Sequence, residues 1–297
     1  GITGTPILPT GYKLIDGYII GPYTDLTNSN LTDADLTDIN LHGVISGGIQ
    51  GTPTLPASYK LINGYIVGPG TDLAGADLSK TDLNGVDLSF ANLQYTDFQN
   101  ADLSGANLRD ADLEDSMLRD VDLSEADLSF ANLQYTDFQN VDLSGANLRD
   151  ADLEDSMLRD VDLSEADLSF ANLQYTDFQN ADLSGTNLRH ADLEASTLRD
   201  VDLSRADLSF ANLQFAFIDN ANLRGVTTGS ISGTPMLPKD YVLKQGYIIG
   251  PGTDLVDADL HGVDLSNLSL NGIKSGGIIG TPILPTGYKL IDGYIIG

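Results

Sequence analysis

The 297-residue chain carries 43 acidic against 15 basic side chains, a formal net charge of −28, with 41% hydrophobic residues and neither cysteine nor tryptophan. A surface this negative repels phosphate backbones and anionic lipid headgroups, which argues against direct nucleic-acid binding and electrostatic membrane adhesion. The lack of cysteine excludes a disulfide framework, a thiolate nucleophile and Cys-ligated zinc, and no run reaches the roughly eighteen apolar residues of a membrane span.

Residues 1–22 open with Gly4-Thr5-Pro6-Ile7-Leu8-Pro9, followed by Tyr12 to Ile20. The motif returns near Gly51, Gly233 and Gly280, giving modules 44–70, 226–252 and 273–297. Asp16-Gly17, Asn63-Gly64 and Asp292-Gly293 are the dipeptides that two-residue hairpin turns demand, and Tyr, Ile, Leu and Val flank them. Each module is therefore expected to be a β-hairpin. Gln245-Gly246 in the third copy predicts a slightly different turn.

Between the first two hairpins, residues 23–43 carry Leu26, Leu31, Leu36 and Leu41; between the last two, residues 253–272 carry Leu255, Leu260, Leu265 and Leu270. The segment 71–225 extends the same spacing. From Leu73 to Leu223 every fifth residue is Leu, Phe or Ile, which makes 31 units, and in 27 of them Asp or Asn precedes it. A straight helix would spread such residues around all its faces, and a straight strand would throw them to alternate sides. The pattern is satisfied if a short strand points the small residue and the Leu inward and the Asp or Asn outward, and a corner follows. If four such sides close a coil of twenty residues, every Leu points to one axis and the coils stack by β-ladder bonds.

On runs such as Ala91-Asn92-Leu93 and Ala101-Asp102-Leu103, the sequence resembles the pentapeptide-repeat family. The resemblance implies an all-β fold, a right-handed quadrilateral β-helix, here with β-hairpin insertions. The 31 units of the array make about eight coils. Asp87 to Ala126 recurs as Asp127 to Ala166 and Asp167 to Ala206, a duplication of two whole coils. It places Phe98, Phe138 and Phe178 on one interior face, alternating with Leu118 and Leu158. The hairpins either interrupt one continuous solenoid as flaps from a corner, the favoured reading, or cap separate blocks. Residues 1–21 and 277–297 differ only at Thr3 against Ile279, so the chain is expected to be one period of a longer repetitive protein or a subunit that joins end to end.

No phosphate-binding loop, nucleophile elbow or zinc-type His motif occurs, and repeated carboxylates offer no distinctive acid–base pair. The expectation is a protein that is not an enzyme and has no catalytic residues, cofactor or metal site. His42, His190 and His261 read as solvated surface residues. Stacked Asp ladders leave weak calcium binding open, against partial neutralisation by Arg109, Arg119, Arg149 and Arg159 and by interspersed Asn.

Phe90, Phe130, Phe170 and Phe210 fall on one outward corner, with Asp110 and Asp150 between them; Tyr95, Tyr135, Tyr175 and Phe215 fall on the next. These rows read either as a lateral interaction stripe or as cover for backbone at the bends. The leading functional expectation is a structural or scaffold rod, a segment of a repetitive or self-assembling fibre. Its expected partners are further copies, end to end or laterally, or another protein, with no nucleic acid and no membrane insertion. An extracellular or cell-envelope setting is favoured over the cytoplasm, although no targeting segment fixes it. Two alternatives follow from the resemblance. One is a DNA-mimic inhibitor of DNA gyrase, as some members are; those dimerise through a C-terminal helical module, and nothing after Leu223 reads as a helix. The other is a regulatory protein-binding module.

Overall fold

A computed structural model of the protein describes residues 2, 4 and 6–297; Gly1, Thr3 and Thr5 of the first hairpin module, and with them the Thr3–Ile279 difference, lie outside the described residues. The five-residue unit behaves as its chemistry requires. The Leu N–H donates to the coil above and the preceding residue's N–H donates to the coil below: Leu93 to the Asp112 carbonyl (2.7 Å) and Asn92 to the Thr71 carbonyl (2.9 Å). At most corners the chain bends onto the next side through a turn closed from residue four to residue one, as Ala76 N–H to the Leu73 carbonyl (2.9 Å). The outward Asp completes that corner. Asp102 Oδ1 accepts from Ser104 N–H at 3.0 Å, and the same bond recurs at Asp122, Asp142, Asp162, Asp182 and Asp202. This Asx-type bond explains the Asp or Asn in nearly every unit without appeal to its charge.

Parallel pairing links residues twenty apart throughout the array, so four units close one coil and the fold is a right-handed quadrilateral β-helix. One ladder runs from Asp25 through Ile45 and Asp72 to Asn92 and onward to Ser232, roughly 50 Å at the usual strand spacing. Inside, the leucines of all four sides are fully buried. Phe98, Phe138 and Phe178 share one interior face with Leu118, Leu158 and Leu198, large side chains alternating with smaller ones along the axis.

Among the described residues, ten short strands stand out from these ladders. Eight form four antiparallel hairpins: β1 (Lys13–Ile15) with β2 (Tyr18–Ile20), β3 (Lys60–Ile62) with β4 (Tyr65–Val67), β5 (Val242–Lys244) with β6 (Tyr247–Ile249), and β9 (Lys289–Ile291) with β10 (Tyr294–Ile296). The other two, β7 (Asp254–Val256) and β8 (Lys274–Gly276), pair in parallel as part of the coil ladder. Gln245-Gly246 makes the same turn as the other copies, with φ of 49° and 79° against 49° and 79° at Asn63-Gly64. The expected difference is absent because Gln adopts the left-handed conformation there, and its side-chain amide donates to the His261 carbonyl (3.0 Å).

The hairpins are not flaps. Outside, one ladder of the four passes each inner hairpin: Ile45 pairs with Asp25 on one side and Asp72 on the other, and Thr227 pairs with Asp207 and Asp254, while the ladders through Gln50, Thr54, Ser232 and Met236 end there. Part of the second, third and fourth modules is coil, since Gln50 pairs with Asn30 and Thr54 with Asp35, Ser232 with Asn212, and Ile279 with Asp259. Inside, the hairpins divide the core. Leu55, Tyr59, Leu61 and Ile66 face the first core with Leu26 to Leu41, while Ile62, Tyr65 and Val67 face the long core that begins at Leu73. At the third hairpin Leu237, Tyr241, Leu243 and Ile248 face the long core, and Tyr247 and Ile249 face the last. A two-stranded plate thus lies across the lumen, and strand alternation gives it one apolar face toward each compartment. Buried hydroxyls anchor it: Ile66 N–H donates to Ser46 Oγ (2.8 Å) and Ile248 N–H to Thr228 Oγ1 (3.1 Å). The Tyr59 hydroxyl donates to the Pro69 carbonyl (3.0 Å), and burial, with Asp87 adding to it, pushes this phenol up from its ordinary pKa. Gly64 is required twice over: its φ is +79°, and a Cβ there would stand 3.2 Å from the Gly48 nitrogen.

Candidate functional site

The eight aromatic residues singled out by their spacing occupy two corner lines that bound one face of the rod. All are exposed, from 44% at Phe130 to 60% at Phe90 and Tyr95. Each also sits at positive φ, between 57° and 66°. Left-handed backbone suits Gly, Asn and Asp, and Gly105, Asn140 and Asp115 occupy comparable corners; a bulky ring there costs about 1 kcal/mol or more. The rings are therefore held where neither burial nor backbone preference favours them.

Between the lines runs a floor that alternates in charge. Asn132 Nδ2 donates to Asp112 Oδ1 (3.0 Å), Asn172 to Asp152 (2.9 Å) and Asn212 to Asp192 (2.8 Å). The next face repeats the arrangement, Asn107 to Asp87 and Asn147 to Asp127, both at 3.0 Å. On these two faces, alternation every second coil gives each of these carboxylates an amide neighbour in place of another carboxylate at about 4.8 Å, whereas aspartates from Asp82 to Asp202 stack on every rung of another face. Ion pairs add to this: Arg119 with Asp137 (2.6 Å), and Arg109 with Asp110 (3.2 Å) and Arg149 with Asp150 (3.1 Å). Among the described residues no group of three or more His, Asp or Glu is placed to hold a metal ion.

The two lines differ. On the phenylalanine line, guanidinium groups lie over the rings, Arg109 on Phe130 at 4.5 Å, Arg149 on Phe170 at 5.0 Å and Arg189 on Phe210 at 5.3 Å. His190 stacks between Phe170 and Phe210, 4.6 and 4.7 Å between ring centroids. Its position twenty residues from each phenylalanine carried that signal, as did the arginines twenty-one residues before each ring. His42 instead meets Tyr23 edge-on at 5.3 Å, and His261 Nδ1 lies 2.7 Å from Asp259 Oδ1. On the tyrosine line, among the described residues, no ring or guanidinium covers Tyr95, Tyr135 or Tyr175. Beside it stand the exposed Met117 and Met157, which outward spacing alone did not single out.

Comparison with known proteins agrees with this geometry. A model of the pentapeptide repeat region matches residues 91–168 and 131–208, and a model of pentapeptide repeats in eight copies matches 22–45 and 71–110; together they span more than half of the chain. No curated protein matches the sequence. Among solved structures, HetL, a pentapeptide repeat protein involved in heterocyst differentiation regulation in the cyanobacterium Nostoc sp. strain PCC 7120, is 29% identical, with 76% of this chain and 90% of HetL covered and a TM-score of 0.58. A pentapeptide repeat protein of the Arabidopsis thaliana thylakoid lumen is 28% identical over 40% of this chain and 66% of its own, with a TM-score of 0.22. QnrB1, a plasmid-mediated fluoroquinolone resistance protein, is 16% identical over 68% and 90%, with a TM-score of 0.34. The five-residue units, their twenty-residue coils and the matched models make this chain a member of the pentapeptide-repeat family.

Proposed function

We propose that the chain is a non-enzymatic scaffold, a stiff acidic rod whose aromatic-bounded face is a protein-interaction surface. The observation that supports this most is the row of exposed rings on left-handed corners, Phe90 to Phe210 and Tyr95 to Phe215, where a smaller residue would cost less. Self-association, lateral or end to end, belongs to the same reading. The phenylalanine line alternates apolar and charged rungs, so it can mate with itself once salt screens the net negative charge.

Sedimentation across salt and protein concentration tests the reading. The parent chain is expected to associate as ionic strength rises. Phe130→Ser with Phe170→Ser is expected to abolish that association while leaving the β signal in circular dichroism. Unchanged association in the variant would return the rings to corner cover.

A regulatory protein-binding module is the second reading, favoured by the likeness to HetL over most of both chains. No specific observation on the rod favours the gyrase-inhibitor alternative.

A further inference from the structure

We propose that the tyrosine line is a docking surface for an extended cationic peptide in polyproline II conformation, with arginine at every third position. The inference rests on reading the aromatic-bounded face as an interaction surface and names the partner for one of its two edges.

The tyrosine line repeats every second coil, about 9.6 Å. A polyproline II chain has three residues per turn and advances about 3.1 Å per residue, so equivalent side chains recur every 9.3 Å or so. The mismatch accumulates to only about 0.6 Å from Tyr95 to Tyr175. Two turns of α-helix advance about 10.8 Å and drift four times faster. The apolar rungs are Tyr95, Tyr135 and Tyr175, whose exposed rings suit proline as aromatic grooves do.

Asp115 and Asp155 alternate with the tyrosines on the same corner line, and Glu114 and Glu154 stand next to them. Among the described residues none of these four forms an ion pair, whereas Asp137 and Asp177 on the adjoining face are neutralised by Arg119 and Arg159. Unpaired negative charge is thus concentrated on the rungs between the tyrosines, where every third residue of the peptide would fall. A second copy of this chain would bring the same carboxylates to the edge, so charge complementarity selects a basic partner, and arginine meets paired carboxylates best.

The test is fluorescence anisotropy with a labelled (Arg-Pro-Pro)5 peptide at about 0.15 M salt, against an isomer of the same composition with its arginines clustered at one end. The periodic peptide is expected to bind about tenfold tighter than the clustered one. Tyr135→Asn with Tyr175→Asn, and separately Asp115→Asn with Asp155→Asn, are expected to weaken it several-fold with an unchanged circular dichroism spectrum. Phe130→Ser with Phe170→Ser is expected to leave it unchanged. Equal affinity for the two peptides, no binding at millimolar peptide, or indifference to the tyrosine and aspartate variants would overturn the proposal. If it fails while the phenylalanine variant still abolishes salt-induced association, only the partner is wrong; if that variant is silent as well, the interaction-surface reading falls with it.

Discussion

Ile66 and Val67 are adjacent in β4 and wholly buried, yet they lie in different hydrophobic cores, Ile66 with Leu26 and Leu36, Val67 with Leu73 and Leu93. The hairpin between them and the ladder outside them do different work. The plate seals each core from the next, while the Ile45–Asp72 pairing carries the wall of the rod past it. A solenoid built this way is joined along one ladder at each inner plate and divided into three compartments within.

Ile66→Ala is expected to cost about 2–5 kcal/mol and to act on one side of the plate. Hydrogen exchange should accelerate at residues 26–41 and change little from Leu103 onward. Protection lost evenly along the rod would mean that the cores are coupled through the hairpin.

Phe130→Asn with Phe170→Asn exchanges exposed rings for the residue that already occupies left-handed corners at Asn100, Asn140 and Asn180. Relief of backbone strain offsets the loss of the arginine contacts, so each change should shift stability by less than about 0.5 kcal/mol. A clear fall in melting temperature would show that the rings hold the corners together.

Much of this was legible from the residues. The five-residue spacing required a chain that bends after every unit, the family resemblance supplied the quadrilateral coil, and the two-coil duplication agreed with it and gave the buried Phe98, Phe138 and Phe178 row. The orientation of the hairpins was missed, although Leu61-Ile62 and Tyr65-Ile66-Val67 present no polar face, and a strand apolar on both sides belongs between two cores rather than on a surface. Gln245 was misjudged because hairpin dipeptides are preferences, and the packing of the plate overrides one turn residue. His190 lies twenty residues from both Phe170 and Phe210, a spacing that puts it on the phenylalanine line, and the stacking of its ring between theirs takes it beyond a solvated surface residue.

Asn132→Asp removes the amide that Asp112 accepts and sets carboxylates at 112, 132 and 152 on consecutive rungs. The expected loss is about 1 kcal/mol at low ionic strength, recovering partly in high salt. A loss independent of salt would assign the effect to the hydrogen bond alone.

The corner carboxylates make stability depend on acid. Asp102 is held below its ordinary pKa first by the Ser104 hydroxyl and then by the Ser104 N–H, and Asp77 is held down in the same way by Ser79. A depressed folded-state pKa contributes stability that is complete above the unfolded value, about 3.9, and is lost as pH falls through the lower folded value. Melting temperature should therefore fall as pH drops below about 4. In Ser104→Ala the Asp102 carboxyl, followed by NMR, should titrate at higher pH than in the parent; an unmoved titration would contradict the assigned cause.

Negative-stain electron microscopy of the purified chain at low salt tests the scaffold reading most directly. The account predicts discrete, straight particles of one length, with no bend where the second and third hairpins cross the lumen, gathering side by side as salt is raised. Particles hinged into separate beads at those two positions would contradict it.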